Sequence, residues 1–353
     1  MPRREIDVAL TGRRVRLELA YFSGSARLLE FRMGGAGAIL RFERVRPARR
    51  DGFQPLRSHE ITPQFLERVL RALRRWKYDV VSADEAVRRA AEPRTGRRFV
   101  WLTFDGAYRD TITHAYPLLA RHDVPFTVYL PTGFVDGIAQ MWWLALEQVI
   151  ARNDRISLVI ARTERHFNVN DLRDRHELYD YLAGWMRTLP PDELAAAIQD
   201  LCRRYSVDAV ALSRQAAMDW TDVRTLAADP RVTVGSATVN YPVLATLKEA
   251  VALREMTMGR QVAEAALGRS LPHFAYPAGD PTSPGRREIM LAGQAGFASA
   301  VTTRASVVQA SDGAAPLALP RISWDGRSRA LRTLRVLLSG VADPKWRRAA
   351  PSS

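Results

Sequence analysis

Cysteine is all but absent from this chain. Cys202 is the only one, which excludes a disulfide framework and a cysteine-based metal cluster. Lysine is nearly as scarce, present only at Lys77, Lys248 and Lys345, so almost all positive charge is arginine. No stretch of about eighteen consecutive apolar residues occurs, and no part of the chain reads as a transmembrane helix. The opening Met1-Pro-Arg-Arg-Glu lacks an apolar core ahead of a small-residue cleavage site, so the expectation is a cytoplasmic protein. The histidines, His59, His114, His122, His166, His176 and His273, show no ligand-type spacing. They read as packed or solvated side chains rather than a metal site.

What is present is an ordinary globular composition, 47% hydrophobic over 353 residues, enough for one large core or two modest ones. The net charge of +14 raises the question of anionic partners such as nucleic acid, an acidic glycan or a membrane surface. The arginines are spread along the whole chain and no nucleic-acid-reading motif accompanies them. Arginine-favouring codon usage explains the choice of arginine over lysine, though not the size of the excess. Nucleic acid is therefore not an expected partner.

Strand and helix signals alternate. A glycine run at Gly34, Gly35 and Gly37 lacks the Gly-Lys-Ser/Thr ending of a phosphate loop and reads as a flexible lead-in to a strand at Ala38–Val45. Thr62-Pro63 opens a helix with an apolar stripe of Phe65, Val69, Leu70 and Leu73. Tyr78–Val81 is a short strand, and Ser82-Ala-Asp-Glu85 has the pattern of a capping box. Phe99–Asp105 is an apolar strand ending on a carboxylate; a helix through His114 and Leu118 and a second apolar strand, Val124–Leu130, follow. This rhythm predicts a parallel sheet or barrel, in which functional groups gather at the C-terminal strand ends. Asp105, Thr132, Ser236, Tyr276 and Arg321 all fall at or just past such ends.

The segment Phe99-Val-Trp-Leu-Thr-Phe-Asp-Gly106 resembles the first motif of the polysaccharide deacetylases, the NodB-homology family of carbohydrate esterases. Arg231–Pro242 resembles the second motif, Phe274-Ala-Tyr-Pro-Ala-Gly279 the third, and Leu319-Pro-Arg-Ile322 a late strand whose arginine sits behind the catalytic aspartate. The resemblance runs from about Ala38 to about Asp325. It implies an α/β fold, a deformed parallel (β/α)7-type barrel, here carrying a helical insertion. It divides the chain into a basic extension (1–37), a first part of the barrel (38–137), the insertion (138–220), a second part of the barrel (221–340) and a disordered tail (341–353).

In the family the first motif ends Asp-Asp and the second carries His-x-x-x-His, supplying a catalytic base and three ligands for a divalent metal such as zinc. Here Asp105 fills the place of the base, whereas Gly106, Ala237 and Tyr241 occupy the ligand positions. Neither glycine nor alanine has a donor atom, and a metal that lowers the pKa of a bound water needs about three protein ligands. The expectation is thus a chain without the family's metal. The resemblance assigns Asp105 and Arg321 to the catalytic pair and Tyr276 and Pro277 to the substrate groove, while position alone makes Ser236, Asn240 and Tyr241 candidates for hydrogen bonds to sugar hydroxyls. Family members also often place a histidine where Glu43 stands.

Three functional readings compete: a family-typical N-deacetylase hydrolysing the amide of an N-acetylated glycan, a degenerate pseudoenzyme that keeps a carbohydrate-binding groove, and a metal-independent hydrolase of a small amide or ester using Asp105. The missing ligands favour the second, and retention of Asp105 keeps the third in play. Trp142 and Trp143 open the insertion; they could stack on sugar rings, but their helical spacing with Leu146 favours a buried stripe. The segment Arg327–Leu338 reads as a basic amphipathic helix. Weak contact with an anionic membrane is one use of it; closing the helical ring of the barrel is the preferred one.

Overall fold

The computed structural model describes residues 17–24, 30, 33–92, 96–277 and 284–341. Arg13, Arg14 and Arg16, Gly279 and the tail from 342 lie outside them.

The organising element is a parallel sheet. Its strands are β1 (Gly37–Phe42), β4 (Asp79–Val80), β5 (Phe99–Asp105), β6 (Phe126–Leu130), β9 (Val232–Ser236), β10 (His273–Ala275), β11 (Ser299–Val301) and β12 (Ile322–Ser323). Two short strands, β2 (Arg44–Val45) and β3 (Glu60–Ile61), pair separately. The spatial order is β11-β10-β9-β6-β5-β1-β12, with β4 beside the first half of β5. The two ends of this row meet. Leu319 donates its N–H to Ala300 and accepts from Thr302, while Ile322 and Ser323 pair with Leu40 and Arg41 of β1. The sheet thus curls back on itself, as the deformed (β/α)7-type barrel requires.

Strand parity separates two cores. In β5 every residue is buried, the mark of a strand covered on both faces. Val100, Leu102 and Phe104 pack outward against helices, with Phe65, Leu66 and Val69 of the helix Pro63–Arg75. Trp101 turns inward, where it shares the barrel interior with Ile39, Tyr129, Ala237, Ala275 and Val301. Thr103 and Asp105 continue that inward row to the mouth.

Local signals behave largely as their chemistry requires. Thr62 Oγ1 accepts from the Phe65 N–H and Pro63 sits in the first turn. Ser82 caps its helix by accepting from the Glu85 N–H, but Glu85 does not close the box: its carboxylate pairs with Arg88 and Arg89 one turn on. The glycine run is pinned rather than loose, because Ala36 donates to the Val308 carbonyl and Gly37 accepts from the Val308 N–H. The last helix is shorter than its periodicity suggests, Leu331–Leu338, since Asp325 binds the backbone and side chain of Arg327 and holds a turn there. Leu334 and Leu338 of this helix are buried in the outer barrel core.

Between the two parts of the barrel the chain builds a second core. The helix Trp142–Arg152 packs with helices Leu172–Met186, Pro191–Arg204 and Ala209–Ala216. Ala145, Leu146, Val149, Leu182, Met186, Ile198 and Leu201 lie at its centre. The segment is not wholly helical: β7 (Arg155–Ile160) and β8 (Thr163–Asn168) form an antiparallel hairpin, which places His166 on a strand. Phe53 and Leu56, from the loop after β2, are buried in this second core, and Arg49 pairs with the buried Glu147 at 2.6 Å. That loop ties the insertion to the barrel. Among the described residues no helix is long and apolar enough to cross a membrane.

Candidate active site and its cleft

Asp105 ends β5 with its side chain 1% exposed, and Arg321, itself fully buried, meets it from the closing segment. The pair is bidentate: Nη1 donates to Oδ1 at 2.7 Å and Nη2 to Oδ2 at 2.8 Å. Arg321 also donates to Thr103 Oγ1 and the Thr302 carbonyl. A planar guanidinium with four of its five donors engaged suits a buried site that an ammonium would not.

A second arginine completes the site. Arg41 lies inward on β1, in register with Thr103, and its Nε donates to Asp105 Oδ2 at 2.6 Å while Nη2 meets Glu43 Oε1 at 2.5 Å. Burial opposes the charge on Arg41, but Glu43 and then Asp105 outweigh it and hold the guanidinium above its ordinary range. Glu43 in turn accepts from or pairs with His59 Nδ1 at 2.8 Å. Burial would raise the Glu43 carboxyl; Arg41 and His59 override this and draw it down to about 2. The neighbouring Glu43 charge raises the His59 imidazole above its ordinary value, against the pull of burial. A chain of alternating charge, Arg321–Asp105–Arg41–Glu43–His59, therefore runs from the barrel interior to its mouth.

The three positions that the resemblance assigns to a metal sit around this chain. Gly106 has φ +92°, a conformation closed to most side chains, and a Cβ there would stand 2.9 and 3.2 Å from carbons of the Tyr108 ring. Tyr108 is fixed in turn, with Arg44 over its ring and Trp143 Nε1 donating to its hydroxyl at 2.9 Å. Ala237 is fully buried among the inner core residues. Tyr241 reaches the mouth, held in a left-handed backbone conformation (φ +57°) by its N–H bond to Thr238 Oγ1, and burial raises its hydroxyl above the ordinary tyrosine range. Asp105 has both oxygens engaged by guanidinium. Among the described residues no group of three or more His, Cys, Asp and Glu is arranged to hold a metal. This donor set does not fit a divalent ion beside Asp105, where the Arg41 guanidinium already supplies a positive charge.

The mouth opens into a cleft of about 1180 Å³. Of the candidates read from sequence, Asp105, Asn240 and Tyr241 line it together with Gly106. Asn240 is tied down by Glu255, which accepts from its side chain at 2.6 Å and from the N–H groups of Val239 and Asn240. Arg321 lies behind Asp105 and does not line the cleft. Ser236 is fully buried, and its Oγ finds no hydrogen-bond partner among the described residues. It shares strand parity with the outward Val232 and Val234, whereas Gly235 faces Tyr129 inside the barrel. Tyr276 is likewise on the outer face, packed with Phe274, Leu291 and Phe297 and donating to the Leu317 carbonyl at 2.8 Å. Pro277 is buried at the end of the same segment, and Thr132 is buried without lining the cleft.

Arg41, Glu43 and His59 line the cleft but were not assigned from sequence. The alternation of Ile39, Arg41 and Glu43 puts Arg41 and Glu43 on one face with the inward core residue Ile39, but the pairing with β5 that brings Arg41 to Asp105 is long-range. Trp142 and Trp143 also depart from the expected buried stripe: both are half-buried and both line the cleft, while Leu146 occupies the core.

The parallel barrel with an aspartate at the end of β5 and an arginine behind it defines a carbohydrate-esterase-type architecture. The family model for polysaccharide deacetylase matches residues 92–157 and 187–297, about half of the chain, and the chain belongs to that family. The fold is similar to the Streptococcus pyogenes deacetylase PplD, solved in complex with acetate (TM-score 0.56, 16% identity, covering 85% of this chain and 97% of that one). It is also similar to IcaB from Ammonifex degensii (TM-score 0.56, 17% identity, 86% and 98%) and to the BpsB deacetylase domain from Bordetella bronchiseptica (TM-score 0.51, 15% identity, 83% and 97%). At these identities the likeness is one of fold. No curated protein matches the sequence significantly.

Proposed function

We propose that this chain is a degenerate polysaccharide deacetylase, a glycan-binding member of its family that has lost metal-dependent hydrolysis of N-acetyl groups. The observation that carries this reading is Arg41. Its guanidinium bridges Asp105 and Glu43 at 2.6 and 2.5 Å, putting a permanent cation where the family's chemistry needs an exchangeable one. Gly106 and Ala237 offer no donor that would compete for a metal. In this reading Asp105 and Arg321 fix the charge of the mouth, Tyr241 and Asn240 contact an N-acetylated sugar, and Trp142 and Trp143 offer it aromatic faces. Ser236, Tyr276 and Pro277 act through the packing of the barrel wall.

The other reading, metal-independent hydrolysis of a small amide or ester by Asp105, needs a carboxylate oxygen available to take a proton from water. Oδ1 accepts from Arg321, and Oδ2 accepts from both Arg321 and Arg41, which disfavours Asp105 as that base. Calorimetric titration of chelator-treated protein with zinc and cobalt, followed by titration with chitotriose, separates the readings. The expected result is no stoichiometric metal site together with saturable glycan binding. A single tight metal site would overturn the proposal, as would failure to bind any N-acetylated oligosaccharide.

A further inference from the structure

The cleft is chemically too uneven to be explained by a sugar alone. Its 1180 Å³ exceeds the ~300–1,000 Å³ usual for a small-ligand site, and its two halves differ in chemistry. The barrel half presents Glu43, His59, Asp105, Asn240 and Tyr241. The other half runs between helices of the insertion and is lined by Ala183, Met186, Leu194, Ile198, Val207 and Val210. Met186, Ile198 and Val207 are buried in the insertion core behind this wall, so its accessible apolar surface comes from Ala183, Leu189, Leu194, Ala195 and Val210, with the charged Asp192, Arg203 and Asp208 exposed beside them. An apolar rim joins the halves. Ile138 lines the cleft although 72% exposed, and Val210 is 37% exposed. Singly exposed apolar side chains would mean little, but here they share one cleft with the accessible apolar wall, and apolar surface gathered in this way marks an interaction site. The family match breaks between 157 and 187, and the helix Leu172–Met186 that supplies Ala183 lies in that break, whereas Leu189, Leu194, Ala195 and Val210 lie in the matched part.

We infer that the ligand is an amphiphile, a sugar carried on an alkyl or polyprenyl chain, with the sugar at the barrel mouth and the chain between the insertion helices. This rests on the glycan-binding reading for the sugar half and adds the chain. The polar mouth gives an aliphatic tail nothing to pack on, and the apolar stretch of Leu189, Leu194, Ala195 and Val210 gives a free glycan nothing to hydrogen-bond. One molecule with both characters satisfies both halves.

The test compares octyl and methyl N-acetyl-β-glucosaminide, both below micellar concentration, with 1-octanol as the chain alone, using calorimetry and ligand-observed NMR. Each methylene moved from water into an apolar site multiplies affinity about fourfold, so burial of four of them predicts that the octyl glycoside binds about 200-fold tighter than the methyl glycoside. Ala195→Trp, at an exposed helical position that lines the apolar half, should collapse that ratio to about threefold or less, and Ile138→Asp on the rim should reduce it. Circular dichroism checks that each variant is folded. Equal affinity of the two glycosides would overturn the amphiphile and leave the glycan reading standing. An octyl glycoside that binds no better than octanol would overturn both, as would failure of both glycosides to bind. A ratio that survives both folded variants would overturn the assignment of the chain to the insertion half.

Discussion

The barrel half and the insertion half of the cleft are held in shape by opposite kinds of force. At the barrel mouth, two arginines and two carboxylates are locked in short ion pairs, most of them out of water. Such a site is costly to leave half-made, because removing one partner strands a buried charge. In the insertion, Leu182, Met186 and Ile198 meet through contact alone, and loss of a side chain there leaves a cavity that its neighbours can partly fill. The family match cuts across both halves: it includes Asp105 and the insertion residues Ile198 and Val207, and leaves out Arg41, Glu43, His59, Arg321, Leu182 and Met186. Within one cleft, then, one wall is rigid through charge and the other through apolar contact.

The sharpest way to break that contrast is Arg321→Ala. It should lower the unfolding free energy by about 3–5 kcal/mol, read by urea denaturation, and Arg321→Met with Asp105→Asn should recover much of that loss. A drop no larger than that of a surface substitution would mean that water reaches Asp105. A smaller effect is expected for Gly106→Asp, which restores the family's residue at a ligand position. The positive φ and the Tyr108 ring should cost about 1–3 kcal/mol, and added zinc should leave the melting temperature of the variant unmoved. A zinc-dependent rise would show that the ligand positions, and not Arg41, decide metal binding.

The subtlest test concerns the outer end of the charge chain. Glu43 raises His59 above its unfolded value, so the stability gained from this pair is fully present below about pH 6.5 and is lost as pH rises through the folded value. The stability difference between wild type and His59→Gln should accordingly shrink from pH 5.5 to pH 9 in paired urea titrations. A difference that stays constant or grows with pH would mean that the imidazole is held neutral. Because His59 has a side chain 45% exposed, solvent screening keeps the effect modest.

These particulars also show what was legible in the sequence. The apolar run Phe99–Phe104 ending on Asp105 marks a parallel-sheet strand and its functional end, and Leu319-Pro-Arg-Ile322 marks the arginine behind it. Motif position alone did not say which way a side chain points. Ser236 and Tyr276 fall at strand ends yet face outward, and the alternation of Val232, Val234 and Ser236, or of Phe274 and Tyr276, carried that information. The approach of Arg41 to Asp105 depends on β1 lying beside β5 in a particular register, a long-range pairing that local pattern does not encode. The hairpin at 155–168 escaped for a different reason. Only its first strand, with Ile156 and Leu158 buried, carries an apolar face; Thr163–Asn168 is mostly exposed and polar.

The segment that closes the barrel is also the one that delivers Arg321. Asp105 and its partner are separated by 216 residues, so this ion pair cannot form until a chain emerging from the ribosome has added all of them. Until residues 319–323 dock between β1 and β11, the aspartate has only Arg41 to neutralise it and the sheet keeps two open edges. Charge compensation and edge protection therefore arrive in one step, and a nascent chain stalled before that step would present both an exposed strand edge and a half-compensated carboxylate to the chaperones that meet it.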